Sequence, residues 1–234
     1  MVAKMIAKKA WLLLMVVVSF APLIINAQQE LALTENVTTN QAICGPRIGD
    51  KAPAFTADST EGIVNFPQDY EDKWVILFSH PADFTPVCET EFKKFASLIP
   101  EFKKLNTQLV GISVDSKYTH KEWMKKIDKD REIDFPVLAD PDMKIVTLYG
   151  MIHPNESEKQ TIRSVYFIDP DKKIRALLYY PIANGRSFDE IMRLLQAMQT
   201  VDKDPNAITP ADWQPGDKVL DKKIDTQERE KLNL

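Results

Sequence analysis

Cys88 stands in the stretch "HPADFTPVCETEF", residues 80–92, where an apolar run ends and a helical pattern begins. The thiolate is the nucleophile, and an ordinary cysteine is mostly protonated near neutral pH. A helix N-terminus offers unpaired N–H groups and a partial positive charge, and Cys88 falls where a helix should start. Thr85 is placed to hydrogen-bond the sulfur or an oxygen bound beside it, since a hydroxyl both donates and accepts. Pro81 and Pro86 stiffen the loop and remove two competing N–H donors, and Pro81 also shields the sulfur from bulk water. The chemistry this spacing suits is nucleophilic attack by sulfur. Glu91, one turn after Cys88, would oppose a thiolate by its charge and reads instead as a residue that orients an arginine. Arg163 and Arg186 are the candidates for a fixed positive charge with forked donors. The competing reading of Cys88 is a small buried hydrophobe at a helix start.

The elements that must position these residues follow from the apolar pattern. "WVILFS" (74–79) is a buried strand leading directly into the cysteine loop. From about Glu89, Phe92, Phe95, Ala96, Ile99 and Phe102 recur at helical spacing, with a kink or break predicted at Pro100. "QLVGISVD" (108–115) and "FPVLAD" (135–140) read as further strands, separated by a charged helix over 119–131. A short helix runs to about Tyr149. "IRSVYFIDP" (162–170) and "KIRALLYYP" (173–181) form a strand pair, and "FDEIMRLLQAMQTV" (188–201) is an amphipathic helix. This order predicts an α/β domain, a mixed sheet flanked by helices, over 48–201. A polar, Pro-containing C-terminal extension over 202–234 lies over the domain or on a partner chain.

The first residues read as an address. Lys4, Lys8 and Lys9 precede the apolar run at 10–25, and "INA" ends at Ala27. This pattern predicts a secretory signal over 1–27, hence an exported protein, periplasmic or secreted; the alternative is an uncleaved membrane anchor. Without those lysines, the 30 basic and 34 acidic residues become 27 and 34, a net −7. Phosphate binding needs clustered Lys and Arg, so no nucleic-acid partner is expected. Residues 28–47 read as a flexible arm that carries Cys44. The chain has two cysteines, too few for a disulfide framework in a domain of this size. "NVT" at Asn36 and "NES" at Asn155 match a glycosylation pattern that matters only in a eukaryotic secretory pathway. His120 and His153 fit no motif, and no metal-ligand cluster is evident.

"FSHPADFTPVCETEF" (78–92) resembles the active-site loop of the peroxiredoxins, Pro-x-x-x-Thr-x-x-Cys. "FSHP" and "DWQPGDKV" (212–219) are similar to the one-cysteine, peroxiredoxin-6-type branch, and the likeness extends over about 48–220 through "IGDKAPAF" (48–55), "RSVYFIDPDKKIRALLYYP" (163–181) and "GRSFDEIMRLLQAMQ" (185–199). The resemblance implies a thioredoxin-like fold whose C-terminal extension serves dimer formation, giving a homodimer or larger homo-oligomer. It implies Cys88 as peroxidatic cysteine, Thr85 and Pro81 as its pocket partners, and Arg163 near the sulfur with Glu91 positioning it. His80 and Arg186 match residues of the substrate pocket. The implied activity is a thiol-specific peroxidase acting on hydrogen peroxide and organic hydroperoxides. It passes through a sulfenic acid recycled by an external thiol, with no cofactor and no metal.

Three features depart from that pattern. Ala82 stands where relatives often have arginine. "YEDKWVILFSHP" (70–81) has no serine before Ser79, so no lipase activity is expected. The exported start is unusual for a branch found inside cells. Cys44 is a possible resolving thiol for Cys88, or a bystander. Two other functions compete: a non-catalytic binding or holdase protein on the same fold, and disulfide exchange between Cys44 and Cys88. The second is disfavoured because C-x-x-C is absent, with Glu91 at the place of its second cysteine.

Overall fold

The computed structural model describes residues 45–129 and 132–222. The predicted leader over 1–27, most of the 28–47 arm including Cys44, and the end of the extension lie outside the described residues.

The apolar run at 74–79 forms β3 (Trp74–Ser79), buried along its whole length. A strand this apolar needs cover on both faces. Trp74, Ile76 and Phe78 enter one hydrophobic cluster, and Val75 and Leu77 enter the other. β3 lies between β4 (Thr107–Ser113), parallel, and β6 (Arg163–Ile168), antiparallel. β5 (Val137–Ala139) extends the parallel part, and β7 (Ile174–Tyr180) pairs with β6 and ends the sheet on that side. The mixed sheet predicted from sequence is therefore present, in the order β2-β1-β5-β4-β3-β6-β7.

β1 (Phe55–Ser59) and β2 (Gly62–Phe66) form a hairpin with no counterpart among the predicted strands. Only alternate positions of each are buried, and short half-polar strands leave a weak signal.

Among the described residues, four α-helices flank the sheet. α1 (Pro86–Lys104) buries Cys88, Glu91, Phe92, Phe95, Ala96, Ile99 and Phe102, a single stripe at i, i+3, i+4 spacing. It packs with α2 (Lys117–Ile127) and α4 (Phe188–Lys203) over one cluster, while α3 (Lys144–Leu148) covers the other. The break expected at Pro100 does not occur. The residue is exposed, so the turn that lacks a hydrogen bond lies on the solvent side of a helix held by Phe95, Ile99 and Phe102. α2 ends at Ile127, short of the predicted 131. Gly111 makes the packing beneath the cysteine loop possible, because a Cβ there would lie 3.2 Å from the Phe78 ring.

After α4 the extension folds back. β8 (Ala207–Ile208) pairs with β9 (Leu220–Asp221), and Trp213 is buried, its carbonyl accepting a bond from Arg193 of α4 at 3.2 Å. The described part of the extension thus lies over its own domain.

Candidate active site

α1 begins at the cysteine loop. Pro86 occupies its first position, where a missing N–H costs nothing and the fixed φ suits a helix. Thr85 is the N-cap, but its side chain makes no cap bond. Its hydroxyl instead donates to the Ala82 carbonyl at 2.9 Å. The first intrahelical bond runs from the Glu89 amide to the Thr85 carbonyl, so the Val87 and Cys88 amides lie ahead of it. Cys88 has no exposed surface, and Pro81 is also buried.

Arg163 opens β6, whose pairing with β3 sets its side chain against α1. Its Nη1 donates to the Cys88 sulfur at 3.3 Å and to Glu91 Oε2 at 2.8 Å, and its Nε donates to the Ile182 carbonyl at 2.9 Å. The expected arginine is therefore at the sulfur, and Glu91 holds it there.

Arg186, expected among pocket residues, is turned inward. Its Nη2 and Nε donate to Glu91 at 2.6 and 3.0 Å, and its Nη1 reaches the carbonyls of Ser79 and Ser164 at 2.9 and 3.1 Å. The guanidinium lies over the Phe78 and Phe95 rings, 5.2 and 5.5 Å from their centroids. Arg186 ties the ends of β3 and β6 to the carboxylate that orients Arg163. Burial pushes the Glu91 carboxyl up, but Arg186 and then Arg163 pull it down by more, and it rests below the usual carboxylate range. Two buried guanidinium groups face one carboxylate, and a thiolate at Cys88 makes the charges equal.

His80 is fully buried, as is His120 of α2. His80 Nε2 donates to Asp83 Oδ1 at 2.9 Å, and His120 Nδ1 meets Asp83 Oδ2 at 2.8 Å. Sequence reasoning finds no use for His120 and no part for Asp83, yet the fold brings both to the back of the cysteine loop. These N···O separations are those of hydrogen bonds. The i, i+3 spacing of His80 and Asp83 was visible in the sequence; the approach of α2 was not.

The sequence pattern of the AhpC/TSA family matches residues 48–177, and that of the C-terminal domain of 1-Cys peroxiredoxin matches 197–232. A peroxiredoxin of Methanosarcina mazei is 51% identical over 183 residues, 75% of this chain and 83% of that protein. A 1-Cys peroxiredoxin of Dictyostelium discoideum is 48% identical over 176 residues, 74% of this chain and 73% of its own length. Among solved structures, a mutant of peroxiredoxin 6 of Arenicola marina superposes with a TM-score of 0.70 at 37% identity, over 75% of this chain and 83% of that one. A yeast mitochondrial 1-Cys peroxiredoxin, solved to explain thiol resolving through glutathione and thioredoxin systems, gives 0.69 at 42%, over 74% and 85%.

Proposed function

The chain belongs to the peroxiredoxin family, in its 1-Cys branch, and is a thiol-dependent peroxidase; from that premise we propose how its own residues carry the reaction. The carrying observation is the Arg163 guanidinium held between Glu91 and the Cys88 sulfur.

The Cys88 thiolate attacks one oxygen of hydrogen peroxide or an organic hydroperoxide. A sulfur–oxygen bond forms, the O–O bond breaks, and the leaving oxygen takes a proton to depart as water or an alcohol. Sulfur loses two electrons and becomes a sulfenic acid. Arg163 keeps its donor on the reacting atoms while negative charge passes from sulfur to oxygen. The Thr85 hydroxyl donates its hydrogen bond to the Ala82 carbonyl, so its lone pairs are left to accept a hydrogen bond from the incoming peroxide. The Val87 and Cys88 amides receive the developing oxygen charge at the helix N-terminus. An external thiol then condenses with the sulfenic acid, releasing water, and a second thiol restores Cys88. Because the sulfur is fully buried, both halves of the reaction need it uncovered: a small shift of the loop admits peroxide, and opening of the first turn of α1 admits the larger thiol.

One equivalent of hydrogen peroxide should add a single oxygen to the reduced protein, at Cys88, trapped by a dimedone-type reagent. The Cys44→Ser variant should behave the same, which makes the reductant external. A two-hydrogen mass loss that vanishes in the variant would instead make Cys44 the resolving thiol. No reaction faster than that of an ordinary cysteine would return the chain to the binding or holdase reading.

Export and a homodimer complete the proposal. The charged start and apolar run over 1–27 support export. Beyond Ile174, which exchanges backbone bonds with Gly49 and Asp50, β7 has no strand partner on its outer edge among the described residues, and it carries half-buried Ala176, Leu177 and Leu178 with Tyr179 exposed. Such an edge is a template for pairing with a second copy, and exposed Val219 and Leu220 of the extension offer further apolar contact. Native mass spectrometry of the protein expressed with its leader should give a dimer of chains beginning at Gln28. A monomer at micromolar concentration, or an intact Met1, would remove the corresponding part.

A further inference from the structure

The loop that carries Pro81 and Thr85 has a device at its back that the peroxidase chemistry above does not use. Its residue Asp83 is buried, with its carboxylate between two imidazoles. Burial pushes that carboxyl up, but the bonds from His120 and His80 outweigh it and hold it below the usual range. The Asp83 amide donates to Asp115 Oδ2 at 2.9 Å, and Asp115 is itself held by the Ser113 hydroxyl at 2.8 Å. His120 Nε2 donates to the Leu138 carbonyl at 3.1 Å, which ties the chain to β5. The His80 ring stacks on Trp123 at 5.4 Å and meets the edge of Phe92 at 4.9 Å, one turn after Cys88 on α1.

The loop needs such a hold. Phe84 sits in the left-handed region at φ 58° with its side chain half exposed, so its own packing does little to keep it there. The Ala82 carbonyl, which fixes the Thr85 hydroxyl, lies between the two residues of the His80–Asp83 bond.

Resting on the peroxidase reading, we propose that Asp83 is a positioning residue: clamped between His80 and His120, it fixes the 80–85 loop against α2 and so sets where Thr85 and the first turn of α1 stand around the Cys88 sulfur. The clamp works by shape. A carboxamide keeps both contacts: asparagine at this position accepts from His80 Nε2 with its oxygen and donates to His120 Nδ1 with its nitrogen, the reverse of the bond the carboxylate takes, while His120 keeps its bond to Leu138. Alanine at 83, or leucine at 120, cannot.

The test is the second-order rate of Cys88 oxidation by hydrogen peroxide, followed by stopped flow, beside thermal unfolding of each variant. His120→Leu and Asp83→Ala should each slow oxidation roughly ten- to hundredfold, the scale of a misplaced reacting group. Asp83→Asn should recover most of the wild-type rate. A merely structural role would lower the melting temperature and leave the rate of the folded enzyme unchanged. Wild-type rates in folded His120→Leu or Asp83→Ala would overturn the proposal, as would an Asp83→Asn enzyme as slow as Asp83→Ala. If the two disruptive variants do not fold, Asp83→Asn alone decides: near-wild-type supports the clamp and slow oxidation overturns it. A wild-type protein that fails to react with peroxide would mark the peroxidase reading as the failure instead.

Discussion

Cys88→Ser should fold as the wild type does and reduce no measurable peroxide, a loss on the order of 10³-fold or more. The fold should tolerate it because serine is close to cysteine in volume and its hydroxyl can accept the Arg163 bond that sulfur takes at 3.3 Å. The packing of Cys88 with Phe92 and Phe95 depends on shape more than on the sulfur itself. The chemistry does not tolerate it. A serine hydroxyl is a weak nucleophile without an adjacent general base, and the cluster supplies none: two guanidinium groups can only donate, and Glu91 is occupied by both of them. Nor can oxygen take the place of sulfur as the atom that is oxidised. Peroxide consumption with excess thiol reductant, compared with wild type at equal folded concentration, measures the effect. A variant keeping even a tenth of the wild-type rate would show that the reacting atom lies elsewhere, with Cys44 the first place to look.

How much of this was legible in the sequence depends on how local each signal is. β3 was readable to the residue because six consecutive apolar or small residues, Trp74–Ser79, are buried on both faces. The start of α1 was readable from Pro86 and from the stripe that follows. That Glu91 orients an arginine is readable as chemistry, since a carboxylate one turn from a nucleophile has few uses other than holding a cation, whereas the choice of Arg163 over Arg186 comes only from the family resemblance. The meeting of Glu91 with Arg163, across 72 residues of chain, is not readable. It depends on the register in which Phe78 pairs with Val165, which no local pattern encodes. Arg186 reads as a pocket residue through the family resemblance alone, and nothing in the sequence shows that its donors face Ser79, Ser164 and Glu91. His120 was invisible for the same reason: on α2 it is one polar residue among many, and only the approach of α2 to the loop gives it Asp83 as a partner. β1 and β2 were missed because their buried sets, Ala57 and Ser59 on one and Val64 and Phe66 on the other, are too short to establish a period.

Glu91→Ala should cost about 3–5 kcal/mol of folding stability, the range for removing one partner of a buried ion pair. The carboxylate accepts four bonds: from Arg163 Nη1, from Arg186 Nη2 and Nε, and from the Arg186 amide at 2.9 Å. Both arginine side chains are almost wholly buried. Without Glu91 their charges have no counterion nearer than a Cys88 thiolate, and leaving buried charge uncompensated is among the largest single-residue penalties a fold can incur. Against a total stability of ~5–15 kcal/mol, the change should be plain in urea unfolding. Acid should expose the same interaction in the wild type. The folded-state pKa of Glu91 lies below its unfolded value, so its contribution is fully present above the unfolded carboxyl pKa, about 4.3. That contribution is lost as pH falls through the lower folded value. Glu91→Gln, which cannot titrate and keeps only one acceptor, should be less stable than wild type at neutral pH, with the gap narrowing in acid. A destabilisation below about 1 kcal/mol for Glu91→Ala, or a gap that stays constant from neutral pH into acid for Glu91→Gln, would mean that the two arginines are held by the Ser79, Ser164 and Ile182 carbonyls rather than by charge. In that case Arg163 would stay at the sulfur without its carboxylate, and Glu91→Ala would remain an active peroxidase.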